Sequence, residues 1–233
     1  MKAKRTALRL VMITVLAWSA VSVTVAQAGS VTAGSYPATL TGTDLNTIHG
    51  NLARFTFGNG ARYFECATAT LSATITGPTT LVKVTPSFGG CFSNGLTSVP
   101  VTVTMNSCHY NIHPTSEITA WISFDCTTAS EQIEIHTYEN STKHKENKPI
   151  CTHDIPQQGP VGLIEIFPRN LGTATEGFLL DFNELAKFNA INTTPGPLSV
   201  CGAAVHKFTT GSLRGEYAFV GSSFGTHTPI MVE

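Results

Sequence analysis

The chain has 233 residues, of which 42% are hydrophobic and only 12% charged, where an average soluble domain carries roughly 25% charged residues. That balance excludes a disordered chain, and a formal net charge of −1 leaves no polybasic surface for nucleic acid. Threonine is in excess at 34 residues. Its β-branched side chain fits a pleated, half-buried sheet surface better than a helix.

A basic start (Lys2, Lys4, Arg5, Arg9) precedes an apolar run from Leu10 to Val25 and a small-x-small site, Ala26-Gln27-Ala28. This is the pattern of a secretory signal peptide over residues 1–28. The run is slightly short for a bilayer span and is interrupted by Ser19, Ser22 and Thr24. Cleavage after Ala28 predicts a secreted protein without a membrane span, with 10 basic against 15 acidic residues and Trp121 as its only tryptophan.

From Tyr36 to Pro229 short alternating apolar runs are separated by Gly, Pro, Asn and Ser, the pattern of a sandwich or barrel. Leu52–Phe57 reads as a strand, Asn59-Gly60 as a hairpin turn, and Arg62 to Thr76 as a long strand that Gly77-Pro78 ends. Leu81–Thr85 follows. Val99, Val101, Val103 and Met105 then alternate with polar residues, after which the apolar phase flips to Cys108, Tyr110 and Ile112. Such a flip predicts a β-bulge near Ser107 or a strand crossing between sheets. Further strands are expected at 118–126, 131–138, 161–167, 199–209 and 215–221, with a solvated charged loop at 143–148. Residues 177–190 fit both helical and strand spacing, and the β-rich surroundings favour strands. The expected fold is a disulfide-stabilised antiparallel β-sandwich in one domain over 29–233. Two similar β lobes divided near 113–118 are the alternative form.

All six cysteines, Cys66, Cys91, Cys108, Cys126, Cys151 and Cys201, follow the signal peptide, so an oxidising compartment and paired thiols are expected. Phe64-Glu65-Cys66 resembles Phe124-Asp125-Cys126, and a cysteine stands 25 residues after each. An internal duplication would give Cys66–Cys91 and Cys126–Cys151, leaving Cys108–Cys201. Chance likeness in a threonine-rich chain is the alternative.

The run from Phe64 to Tyr110 resembles a group of secreted proteins of soil actinobacteria. The residues that carry the likeness are Phe64 and Cys66, Thr76 to Pro78, Gly90-Cys91, and Asn106, Cys108 and Tyr110. Ile155-Pro156-Gln157, Cys201-Gly202 and the glycines Gly211, Gly215 and Gly221 look similar too. The resemblance implies export, six paired cysteines and an all-β fold, and it implies no catalytic residue.

Gly221-Ser222-Ser223-Phe224-Gly225 matches Gly-x-Ser-x-Gly, but too few residues follow for the helix and later acid and histidine of a nucleophile elbow. A glycine–serine turn is the plainer reading. His109 and His113 on one strand would lie about 13 Å apart, too far to share a metal, and His136, His144 and His153 are scattered, so neither a metal nor a cofactor is predicted.

The most informative constellation is an expected hairpin of Thr119–Cys126 and Glu131–Tyr138 around Thr127-Thr128-Ala129-Ser130. Pairing Cys126 with Glu131 puts Ile122, Phe124, Ile133 and Ile135 on an inner face. Trp121, Asp125, Gln132, Glu134 and His136, with Tyr138 beyond, then form an outer one. An aromatic surface beside carboxylates and an amide suits sugar binding, although a mixed polar face is also ordinary for a solvated antiparallel sheet. These readings predict a secreted, non-enzymatic β protein whose partner is an extracellular glycan or cell-envelope component. Two alternatives stay open: a hydrolase using the carboxylates Asp125 and Glu134, and an inhibitor or adhesin module that works through loops on disulfide-fixed strands.

Overall fold

The computed structural model describes residues 29–45, 52–58, 62–93, 96–170, 176–182, 186–194, 201 and 207–233. The expected signal peptide, the Asn59-Gly60 turn and most of the expected strand at 199–209 lie outside them. The described chain is almost entirely strand: β1 (Val31–Ala33), β2 (Ala38–Asp44), β3 (Ala53–Phe57), β4 (Arg62–Ile75), β5 (Val82–Ser93), β6 (Leu96–Thr104), β7 (Cys108–Ser116), β8 (Thr119–Cys126) and β9 (Gln132–Thr137). After a short helix α1 (Ser141–Lys145) come β10 (Cys151–Pro156), β11 (Gln158–Asn170), β12 (Glu176–Asp181), β13 (Ala186–Thr194), β14 (Lys207–Arg214), β15 (Glu216–Ser223), β16 (Thr226–Thr228) and β17 (Ile230–Val232). The described part of the 177–190 stretch is therefore β12 and the start of β13. The charged segment carries one exposed helical turn, capped by the Asn140 side chain, which accepts from the Thr142 and Lys143 amides at 3.0 Å.

Long alternating segments let two strands serve two neighbourhoods each. The upper half of β4, Thr70–Ile75, pairs with β2, and its lower half, Arg62–Cys66, pairs with β3. On β5, Val82–Val84 pair with β7, and the end near Cys91–Ser93 pairs with β6. The sheet order consequently closes twice around the shared β4–β5 ribbon. One circuit runs β4-β2-β15-β12-β11-β8-β7-β5 and the other β4-β3-β14-β13-β10-β9-β6-β5, antiparallel throughout. Closure satisfies the backbone groups that open sheet edges would expose. The small β1–β17 ribbon is bridged to the first circuit by the Val31–Thr79 pair.

The expected antiparallel all-β, sandwich-like fold is what the chain forms. Its inward-facing residues make one continuous apolar cluster. Phe124 of the first circuit meets Phe188 of the second at 5.7 Å between ring centroids, and Phe188 in turn touches Phe55 and Phe57. Residues 113–118 lie within the β7–β8 hairpin. The phase flip at Ser107 marks the strand crossing: β6 belongs to the second circuit and β7 to the first, with Asn106 at φ 49° in the reversal between them.

All six cysteines are paired, as Cys66–Cys91, Cys108–Cys126 and Cys151–Cys201, which fits an oxidising, non-cytoplasmic compartment. The first bridge is the expected one. The Cys126–Cys151 and Cys108–Cys201 pairings are corrected, because Cys108 and Cys126 face each other across the β7–β8 ladder while Cys151 starts β10 in the other circuit. The 25-residue spacing recurs without recurring in the fold. Among the described residues no helix is long and apolar enough to cross a membrane.

A second correction concerns the β8–β9 hairpin. Both edges of β8 are taken, by β7 and β11, and both edges of β9 by β6 and β10. The Thr127–Ser130 segment is thus a crossover between circuits, fastened by the Thr127 amide donating to Ser107 Oγ at 3.1 Å and by a Ser107–Glu131 side-chain contact. Phe124 does not face Ile133, nor Ile122 Ile135. The inward set itself stands: Ile122, Phe124, Ile133 and Ile135 are all buried.

Candidate functional site

Three neighbouring strands of the first circuit, β7, β8 and β11, build a groove on its outer face. Alternation along β8 sends Ala120, Ile122 and Phe124 inward and Trp121, Ser123 and Asp125 outward. Across the β7 ladder His113 stands opposite Trp121, Asn111 opposite Ser123, and His109 opposite Asp125. On the β11 side Gln158 pairs with Phe124 and the next pair is Gly162 with Ile122, so Gly159, Pro160 and Val161 form a bulge. Gly159 lies so close to β8 that a Cβ there would collide with the Ser123 Cβ. Glycine is needed at that position for the bulge to rest on the strand.

The bulge and the residues leading into it, Gln157 to Pro160, wall an open cavity of about 670 Å³. Its other lining includes Asn111, His113, Trp121, Ser123 and Asp125. Trp121 is 40% exposed, with Leu163 of β11 on its other flank. Gln158 is fixed: its amide donates to the carbonyls of Pro156 and Asn189, and its oxygen accepts from the Asn189 amide at 2.6 Å. These bonds tie the groove wall to β13 of the second circuit.

Asp125 closes the polar end. Oδ2 accepts from the Asn111 side-chain amide at 3.3 Å, and Oδ1 accepts from the Cys126 amide at 3.1 Å. His109 is buried behind it, with Nε2 at 3.7 Å from Oδ2. Burial and then the Lys83 charge lower the His109 pKa, against the raising influence of the Ser107 carbonyl and of Asp125. At neutral pH the His109 imidazole is therefore uncharged.

The remaining expected site residues lie elsewhere. Gln132, Glu134 and His136 occupy β9, on the outer face of the second circuit, where Glu134 pairs with Thr104 and Asp154 and His136 with Thr102 and Thr152. His136 Nε2 is 3.4 Å from Glu134 Oε2, and burial raises the pKa of the neighbouring Asp154 carboxyl. The expected single surface is thus two surfaces, because β8 and β9 belong to different circuits. Tyr138 is corrected as an outward residue: it is 2% exposed, donates to Asn147 at 3.0 Å and packs its ring on His144 beneath α1. Sequence reasoning passed over Asn111, His113, Gln157, Gln158 and Pro160, which reach Trp121 only through non-local pairing. The Gly159-Pro160 dipeptide was their one local signal.

The Gly-x-Ser-x-Gly match is a hairpin turn. Ser223 is buried, and Ser223 and Thr226 pair across Phe224 and Gly225, which take φ values of 51° and 79°. Strands flank the turn on both sides, where a nucleophile elbow has a helix after the serine. Among the described residues no group of three or more His, Cys, Asp or Glu side chains is placed to hold a metal ion. No family model, curated protein or solved structure matches the chain.

Proposed function

We propose that this is a secreted, non-enzymatic protein that binds an extracellular glycan in the Trp121 groove. The observation that carries the reading is one open groove with an exposed tryptophan along it and a hydrogen-bonded Asn111–Asp125 pair at its polar end. Sugars offer an apolar ring face and a rim of hydroxyls, so they are held by aromatic stacking together with a few placed polar groups. Asp125 is the one carboxylate that lines the groove among the described residues. Glu134, which a two-carboxylate hydrolase would need, stands on the other circuit.

The test is a titration of the protein with soluble glycans, followed by intrinsic fluorescence, since Trp121 is the only tryptophan after residue 28. The free protein should emit near the water-exposed limit and be quenched by iodide. Trp121→Ala should weaken glycan binding by roughly 1–3 kcal/mol, the scale of a modest hot spot, and leave the melting temperature nearly unchanged. Full binding by Trp121→Ala would refute the reading.

A protein-directed role is favoured by a different observation. Phe224 is 87% exposed at the β15–β16 tip, at the first of the two positive-φ positions of the hairpin turn, where asparagine or glycine is the usual residue. Exposed Leu81 and Ile118 follow β4 and β7, which run the same way around the circuit as β15. The three mark one apolar end. Binding to immobilised cell-envelope material that Phe224→Ser abolishes and Trp121→Ala leaves intact would favour this second reading.

A further inference from the structure

On the reading that the Trp121 groove binds a glycan, we infer that it selects uncharged sugar chains and excludes anionic ones such as uronates and sulfated polymers. Apart from Asp125 and the imidazole of His113, every side chain that lines the groove is one that carries no charge. Neither lysine nor arginine lines the groove among the described residues. Lys83, opposite Asn111 on the next strand, acts on His109 but is not part of the lining.

Asp125 is held at both of its oxygens. Each carboxylate oxygen accepts one hydrogen bond from the protein, from Asn111 and from the Cys126 amide. The adjoining Cys108–Cys126 bridge fastens its strand. Each oxygen retains capacity for another donor, and the side chain is still 38% exposed. Two hydroxyls of a neutral sugar satisfy it. A carboxylate or sulfate in the same place would set two like charges together with no lysine or arginine in the lining to offset them, at a site partly shielded from solvent.

The experiment titrates the whole protein with cellohexaose, xylohexaose and mannohexaose and with hexagalacturonate, reading Trp121 fluorescence at low ionic strength. At least one neutral hexaose should bind at least about tenfold more tightly than the uronate. Asp125→Asn should narrow that gap to under about threefold, because the charge is lost while an acceptor for the Cys126 amide remains. For wild-type protein 1 M NaCl should narrow it in the same direction, since the Debye length then falls to about 3 Å. That arm does not depend on a variant folding. Uronate binding as tight as the best neutral hexaose overturns the selectivity and leaves glycan binding standing. No response to any of the four overturns the glycan reading, and the selectivity with it.

Discussion

The two closed circuits share a ribbon and a core, yet their outer faces differ in kind. On the second circuit β9 and β10 pair through six consecutive residues, from Cys151 opposite Thr137 to Pro156 opposite Gln132. The face they offer is an even row of Glu134, His136 and Thr152, with Asp154 buried among them. On the first circuit the β8–β11 ladder is broken by the Gly159–Val161 bulge, and the displaced backbone rises as a wall beside Trp121. Polar outward residues are present on both faces. A regular ladder lays them on a flat surface, whereas a bulge gives them a concave one.

The largest effect should come from the residue that underlies the groove and also joins the circuits. Phe124 is buried, packs at a tilt against Tyr110 with 5.1 Å between ring centroids and meets Phe188 of the second circuit. Phe124→Ala should cost about 3–5 kcal/mol in chemical denaturation, as other large-to-small core changes do. One cooperative transition is expected, and two separate transitions would show that the circuits unfold independently.

Acid should expose a difference between the two circuits' sides of that core. His153 lies fully buried against the Phe57 and Phe64 rings of the second circuit. Burial, and then the Arg62 charge, lower its pKa to about 4. The unfolded chain takes up the proton near pH 6.5, so below that pH protonation favours unfolding. The stability linked to His153 is fully present above pH 6.5 and is lost as the pH falls to about 4, to the extent of about 3 kcal/mol. Denaturation at pH 7, 5.5 and 4 measures it, and His153→Phe should flatten the profile. An unchanged slope in that variant would assign the acid sensitivity to other groups.

The smallest effect belongs to the flat face. Glu134→Ala should change stability by no more than about 0.5 kcal/mol, as ordinary surface substitutions do, and should leave glycan titrations of the groove unaltered. A loss of binding in Glu134→Ala would mean that the two faces work together.

The sequence disclosed what depends on local period and concealed what depends on partners. Alternation alone settled that Ile122, Phe124, Ile133 and Ile135 point inward and Trp121 outward, because side-chain direction in a strand is independent of the neighbouring strand. It did not say that β8 would lie between β7 and β11. Pairing with the next strand in the chain is the commoner arrangement, but here β7 holds one edge of β8 and β11 takes the edge that β9 would have used. Trp121 and Asp125 were legible as outward residues of one strand. The rest of the groove comes from Asn111 and the Gln157–Pro160 wall, whose approach is fixed by register shifts that no local pattern encodes.

The β1–β17 ribbon bears on the order of assembly. Val31 pairs with Val232, and the Ser30 and Glu233 backbones exchange hydrogen bonds at 2.8 and 2.9 Å, so segments separated by almost the whole described chain must meet. The entropy of closing so long a loop makes this contact unfavourable until the intervening strands are in place. The ribbon is therefore the last seam to close and the first to open, and in amide exchange its protection should trail that of β4 and β5. Folding is correspondingly slow, on the order of milliseconds to seconds or longer for so non-local a topology.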